Sequence, residues 1–375
     1  MGFAERLEII REIERIRESK VFCYLTSLRP NLGAAMGEDA VRAFFEHLVL
    51  LEQRPVPKLD IFLCSNGGSG ALPWRLISLF REFADKIGVL IPYRAYSAAT
   101  MVALGADEII MHPFAEMGPI DPTVSNDFNP VDPQTKQRMG ISVEDVKAYV
   151  AFIKDTVGIR HEDELVKAIE ILAEKVHPLA LGNVERFIAQ SRMIARKILL
   201  THMSDTEEHK IDEIVETLAS KLYFHGHPIN RKEARTELGL KIAEHPSPSL
   251  ETAMWKLYLD FETELENDKA FDPMSEVFKA AGPIQAPAPG QACIVPAGTF
   301  VELDDIFCLV ESERLSSRLT AKRRFVVVAS GSQFEPLIRA ETLDQRWSHQ
   351  PAPRPATPSA PEKPAPRPAP KKGAK

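Results

Sequence analysis

A chain of 375 residues, 44% of them hydrophobic, is long enough to bury one large core with a smaller appendage, and its composition is that of a globular protein. No apolar run reaches the roughly 18 residues of a membrane helix, and the start, MGFAERLEIIREIERIRESK, is too charged for a secretion signal, so no transmembrane anchor is expected and the expected location is cytoplasmic. The net charge is −7, but Gln350 to Lys375 hold six Lys/Arg against one Glu, leaving the rest near −12, which argues against nucleic acid as a partner.

In chain order, Phe3, Leu7, Ile10 and Ile13 recur at helical spacing with Glu and Arg between them, predicting an amphipathic helix over residues 1–20. Its mixed polar face suits the protein body or a partner subunit better than a membrane surface. An apolar run VFCYLTSL follows, then a helix from Asp39 to Leu51, a strand LDIFLC and the turn SNGGSG. A helix from Leu72 to Ala84, a strand IGVLIPYRAY, a helix starting near Ser97 and a strand DEIIM complete the pattern. Strands alternating with helices at this spacing predict an α/β core, residues 21–140, with a mostly parallel sheet. Residues 141–281 read as helical, punctuated at HPLALGN, HGHPIN and HPSPS, and expected to complete the core or an oligomer interface. A Pro-rich linker is expected at 282–290 and a small β-rich module at 291–348, with strands in ACIVPAGTFVEL, IFCLVES and RRFVVVAS. The Pro/Ala/Lys-rich tail, 349–375, is expected to be disordered, as a solubilising extension or a ligand for a partner that reads extended proline segments.

Two stretches carry possible chemistry, each at the C-terminal end of a strand, where open parallel sheets place their sites. One is Ser65-Asn66-Gly67-Gly68-Ser69-Gly70, the other Ala95-Tyr96-Ser97-Ala98-Ala99-Thr100. Adjacent glycines let backbone N–H groups face an incoming oxyanion without a Cβ in the way. A serine at a strand-to-helix junction has the N–H of Ala98 and the positive helix end behind it. Taken singly, the glycines read as a tight turn and Ser97 as an N-cap.

The segment from Val21 to about Pro122 resembles the Clp-peptidase/crotonase superfamily, and within it the serine peptidases related to signal peptide peptidase A. It shows SNGG, AYSAAT, ALGADEIIM and MGPIDP in the order those proteins use. The serine dehydrogenase proteinase family is similar further along, with the helix at Ile141-Ser142-Val143-Glu144-Asp145-Val146, the HPLALGN box and HGHPINRKEARTELGL. The resemblance implies a Clp/crotonase-type (ββα superhelix) core with a helical extension, and a serine peptidase acting on peptides or protein tails as a homo-oligomer. It implies Ser97 as nucleophile, Gly67, Gly68 and Ala98 as oxyanion donors, and a lysine base, Lys136 before Lys147. No cofactor is implied: SNGGSG is not the GxGxxG of a dinucleotide site.

His112 is a competing base, and Asp121 a possible orienting group. His177, His225 and His227 read as turn residues, since no carboxylate or cysteine cluster makes HxH a metal site. Cys23, Cys64, Cys293 and Cys308 are too scattered for a disulfide framework. Two other functions share this fold: a catalytically inactive assembly or recognition protein, and an acyl-CoA enzyme that stabilises an enolate with the same N–H groups.

Overall fold

The computed structural model describes residues 2–121, 123–124, 127–131, 138–222, 226–244, 246–281, 295–330 and 336–353. Lys136, His225, Cys293, the linker 282–290 and the tail from 354 onward lie outside the described residues. Helix α1 (Phe3–Arg17) leads into β1 (Lys20–Thr26), α2 (Ala40–Leu48), β2 (Val56–Cys64), α3 (Leu72–Phe83), β3 (Ala84–Ile91), β4 (Arg94–Ala95), α4 (Ala98–Leu104) and β5 (Glu108–Met111). Then come the short strands β6 (Glu116–Met117), β7 (Thr123–Val124) and β8 (Ile141–Ser142), and the helices α5 (Val143–Ala151), α6 (Glu162–Lys175), α7 (Pro178–Leu199) and α8 (Glu208–Glu216). The remainder is β9 (Ile229–Asn230), α9 (Arg231–Thr236), α10 (Pro248–Glu264), α11 (Pro273–Ala280), β10 (Phe300–Glu311), β11 (Leu315–Ser330) and β12 (Pro336–Pro351).

Seven strands form the main sheet in the order β12-β11-β10-β1-β2-β3-β5. The steps β1–β2, β2–β3 and β3–β5 are parallel, and the three strands of the C-terminal module are added antiparallel through β1–β10. The apolar runs of the parallel strands are continuous because both faces are covered. Phe22, Tyr24, Ile61 and Leu63 face a core shared with α2, α3, α4 and α7; Val21, Cys23, Leu25, Phe62 and Cys64 face one built with α1 and α10. Burial of the thiols pushes the pKa of Cys64 up to about 12 and that of Cys23 well above its ordinary value, so both are inert packing groups.

The N-terminal helix packs on the body through more than its apolar stripe. Arg6, fully buried, donates to both oxygens of Glu311 in β10 at 2.8 and 2.7 Å and to Asp260 in α10 at 2.6 Å. One guanidinium thus ties α1, α10 and β10, a geometry only a planar, permanently charged fork supplies.

The C-terminal strands differ from the sequence expectation in detail. The FVEL end of the first expected strand and the IFCLVES stretch belong to a single strand, β10, whose register against β11 shifts between Ile306 and Cys308. Strand β12 was not anticipated: exposed along most of its length, it has no apolar face to mark it.

Candidate active site

The site is assembled where β2 and β4 end. Ser65 N–H donates to Arg94 O at 2.8 Å and Tyr96 N–H to Ser65 O at 3.0 Å, so the SNGGSG turn and the Ser97 turn share one ladder. The buried Ser65 hydroxyl accepts from Gly67 N–H at 3.0 Å and meets the Thr26 hydroxyl at 2.7 Å. On the outer side, Met36 N–H donates to Gly67 O at 2.8 Å and Ser69 N–H to Met36 O at 2.9 Å. The turn is therefore held by backbone on two flanks. Gly67 has φ +95, and a Cβ there would lie 2.6 Å from Tyr96 O and 2.8 Å from Ser97 Cβ. A Cβ on Gly68 would come within 2.4 Å of Met36 N and O. Both glycines are required by close approach.

Ser97 sits at φ 53, ψ −115 and makes no capping hydrogen bond to the helix it precedes. A plain N-cap would have extended backbone and an accepting side chain. A side chain at positive φ costs of order 1–3 kcal/mol and persists only where its surroundings enforce it, a pattern associated with functional positions. Here Thr100, buried in the first turn of α4, holds the junction with its hydroxyl 2.7 Å from Ala95 O and 2.8 Å from Gly118 O. Tyr96 O–H and Arg94 Nε donate to Glu116 at 2.6 and 2.8 Å, pinning the residues on the other side. Helix α4 has only seven residues, so individual N–H groups outweigh any axial dipole. Among the described residues, the N–H groups of Gly68 and Ala98 have no acceptor, whereas that of Gly67 is given to Ser65.

A cavity of about 310 Å³ opens beside Ser97. Gly68 to Ala71, Met101 and Ile120 line one side, and Phe187, Gln190 and Ser191 of α7 the other. Ser191 Oγ donates to Ile120 O at 2.7 Å, fastening α7 over the site. Sequence reading missed this wall. Its trace is a serine in an otherwise apolar stripe, Val184, Ile188, Ser191, Ala195, at the spacing of one helix face.

The family of ClpP-like SDH-type serine proteinases matches residues 2–260. The chain belongs to that family. Two uncharacterized proteins of Methanocaldococcus jannaschii are similar to it: one is 27% identical over 187 residues, covering 44% of this chain and 62% of the relative. The other is 25% identical over 256 residues, covering 66% and 77%. The chain thus spans less than two thirds of the first relative's length. Among solved structures, a mutant of the 1510-N membrane-bound stomatin-specific protease superposes with a TM-score of 0.36 at 13% identity, over 63% of this chain and 84% of that one. A second mutant of the same protease, in complex with a substrate peptide, gives 0.35 at 14% identity, over 62% and 78%.

The residues considered as a general base are placed unequally. Lys136 lies outside the described residues; Lys147 is on α5, with its backbone alone described. The histidines are engaged elsewhere. His112 stacks on Trp255 at 5.1 Å, accepts from Phe114 N–H at 3.2 Å, and has its pKa lowered chiefly by burial. His177 caps α7 by accepting from Leu179 N–H at 3.2 Å and stacks on Phe128. His227 pairs with Glu233 at 2.7 Å, and Asp121 is buried. Among the described residues no helix is long and apolar enough to cross a membrane, and no His/Cys/Asp/Glu group of three or more is placed to hold a metal.

Proposed function

We propose that this chain is a serine peptidase whose nucleophile is Ser97. The observation that supports it most directly is the backbone of Ser97 at φ 53, ψ −115, uncapped, at a cavity also lined by Gly68; among the described residues the N–H groups of Gly68 and of the adjacent Ala98 have no acceptor. In this mechanism Ser97 Oγ bonds to the scissile carbonyl carbon while its proton passes to a lysine, Lys136 or, second, Lys147. The developing oxyanion takes hydrogen bonds from Gly68 and Ala98, with Gly67 keeping the space in front of them clear. The lysine gives the proton to the departing amine; neutral again, it takes a proton from water, whose oxygen bonds to the acyl carbon, and returns that proton to Ser97 Oγ as the acyl–oxygen bond breaks. That lysine must be neutral at rest, which burial or a neighbouring cation brings about. The proposed substrate is a peptide or protein tail met in the cytoplasm by a homo-oligomer, with the Pro-rich tail contacting a partner. No cofactor enters the chemistry.

Labelling of the purified protein with a fluorophosphonate tests this. Wild type is expected to label, Ser97→Ala to lose all labelling, and one of Lys136→Ala and Lys147→Ala to lose it as well. An unlabelled wild type in assembled form would overturn the peptidase reading in favour of a recognition protein; labelling that survives Ser97→Ala would move the nucleophile.

A further inference from the structure

Strand β12 closes the main sheet on one side, and among the described residues it has a hydrogen-bonding neighbour, β11, along one edge only. It is 16 residues long and mostly exposed, with proline only at its two ends, Pro336 and Pro351. Among the described residues its other edge therefore presents a row of N–H and C=O groups without a strand partner, and no interior proline blocks pairing. Long open edges of this kind template pairing with another strand. At the far side of the sheet, β5 carries four residues and is flanked by the 241–243 segment, so the two edges are treated differently.

The sequence of β12 specifies what fits there. Around Gln345 the residues run Glu341-Thr342-Leu343-Asp344-Gln345-Arg346-Trp347-Ser348-His349. Read antiparallel against itself with Gln345 on the two-fold axis, the order places Asp344 opposite Arg346 and Leu343 opposite Trp347. It also places Thr342 opposite Ser348 and Glu341 opposite His349. Asp344 meets Arg346, Leu343 meets Trp347, and both copies make every contact twice, as an isologous interface requires. Registers moved by one residue, with Asp344 or Arg346 on the axis, set that charge against its own copy, like against like.

Asp344, Arg346 and Leu343 are available, whereas the Trp347 indole N–H is given to Asp39 at 2.7 Å and His349 meets Ser317 and Glu46 at 2.8 and 3.1 Å. The side chains of Asp344 and Arg346 are 51% and 76% exposed, and Leu343 is 43% exposed. Asp344, Gln345 and Arg346 keep unbroken register with Lys322, Ala321 and Thr320 of β11, so the centre of the proposed pairing lies clear of the irregularity at Leu343. On these grounds we propose that β12 is a self-association strand: two copies of the chain pair antiparallel through their β12 edges about Gln345, joining their sheets into one.

Sedimentation of the full-length protein and site-specific crosslinking test this together. Wild type is expected to sediment as a dimer or a multiple of one at micromolar concentration. Asp344→Arg and Arg346→Asp each bring like charges together twice and are expected to weaken self-association by about tenfold or more, while the double exchange restores it. Across a two-fold axis, opposed Cα atoms lie about 4.5–5.5 Å apart, within disulfide reach. Gln345→Cys is therefore expected to give a covalent dimer on mild oxidation, faster than Leu337→Cys at the far end of the strand. A monomeric wild type, a double exchange that fails to recover, or equal crosslinking at 345 and 337 would each overturn the proposal.

Discussion

Around Ser97 the backbone is held by close contacts on the sides away from the cavity, whereas β12 faces solvent along most of its length. In the first region Gly67 and Gly68 touch Tyr96, Ser97 and Met36 at distances that exclude a methyl group, and the residue types follow from that contact. In the second, His349 and Trp347 touch the body, but Leu343, Asp344 and Arg346 are exposed, and their order is read against another strand. Confinement writes itself into residue identity, while an open edge writes itself into pairing pattern.

The comparison breaks most sharply at Gly67. Gly67→Ala must move Tyr96 O or Ser97 to make room and must also hold φ +95 with a side chain. It is expected to abolish fluorophosphonate labelling and to destabilise by about 3 kcal/mol. Gly70, in the same turn, has nothing within 4 Å of its would-be Cβ, and Gly70→Ala is expected to label normally and unfold within about 0.5 kcal/mol of wild type. Urea unfolding of both variants beside wild type decides it; equal losses would mean the turn relaxes and the confinement is not real.

A second effect arises where the hairpin meets the core. His47, 1% exposed in α2, lies 2.8 Å from Ser312 Oγ through Nδ1 and 2.9 Å from Ser317 Oγ through Nε2. Ser317 in turn bonds His349 of β12 at 2.8 Å. Burial, helped by the nearby His349, pushes the pKa of His47 down from 6.5 to about 3. Between these values the unfolded chain takes up the proton more readily than the folded one, so the unfolded state gains on acidification. The contribution is fully present above about pH 6.5 and is lost as pH falls towards 3, at up to about 1.4 kcal/mol per unit. From pH 7 to 5 wild type is expected to lose about 2 kcal/mol, and His47→Gln, which cannot titrate, less than half of that. Parallel losses in the two proteins, from urea midpoints at both pH values, would show that His47 is not the titrating group.

The division between confined and open regions also governs what was legible in the sequence. The four parallel strands stood out because both of their faces are buried, which makes VFCYLT and LDIFLC continuous apolar runs. The glycine pair and Ser97 stood out because contact forbids other residues there. The wall of the cavity on α7 did not, since Phe187, Gln190 and Ser191 differ little from any amphipathic helix until the fold brings them to Ser97. Strand β12 escaped for the opposite reason: Leu337, Ile338, Leu343 and Trp347 are scattered among charged and polar residues, with no continuously buried face to impose a period. The sequence does not choose between Lys136 and Lys147 as the proposed base, because a lysine's competence depends on what surrounds it in space, which spacing along the chain does not encode.

The smallest effect tests whether confinement at Ser97 stores energy. A serine at φ 53, ψ −115 carries strain of about 1–3 kcal/mol, which glycine would release, while glycine gives back about 0.5–1 kcal/mol through the larger entropy of its unfolded chain. Ser97→Gly is thus expected to be more stable than wild type by about 1 kcal/mol while losing all labelling. Ser97→Ala keeps the strained backbone, so it should lose labelling and remain within about 0.5 kcal/mol of wild type. The difference between the two variants isolates the backbone, because both lack the hydroxyl. If Ser97→Gly is no more stable than Ser97→Ala, the turn holds its geometry without cost, and the positive φ is then a consequence of tight packing, with no stored energy behind the nucleophile.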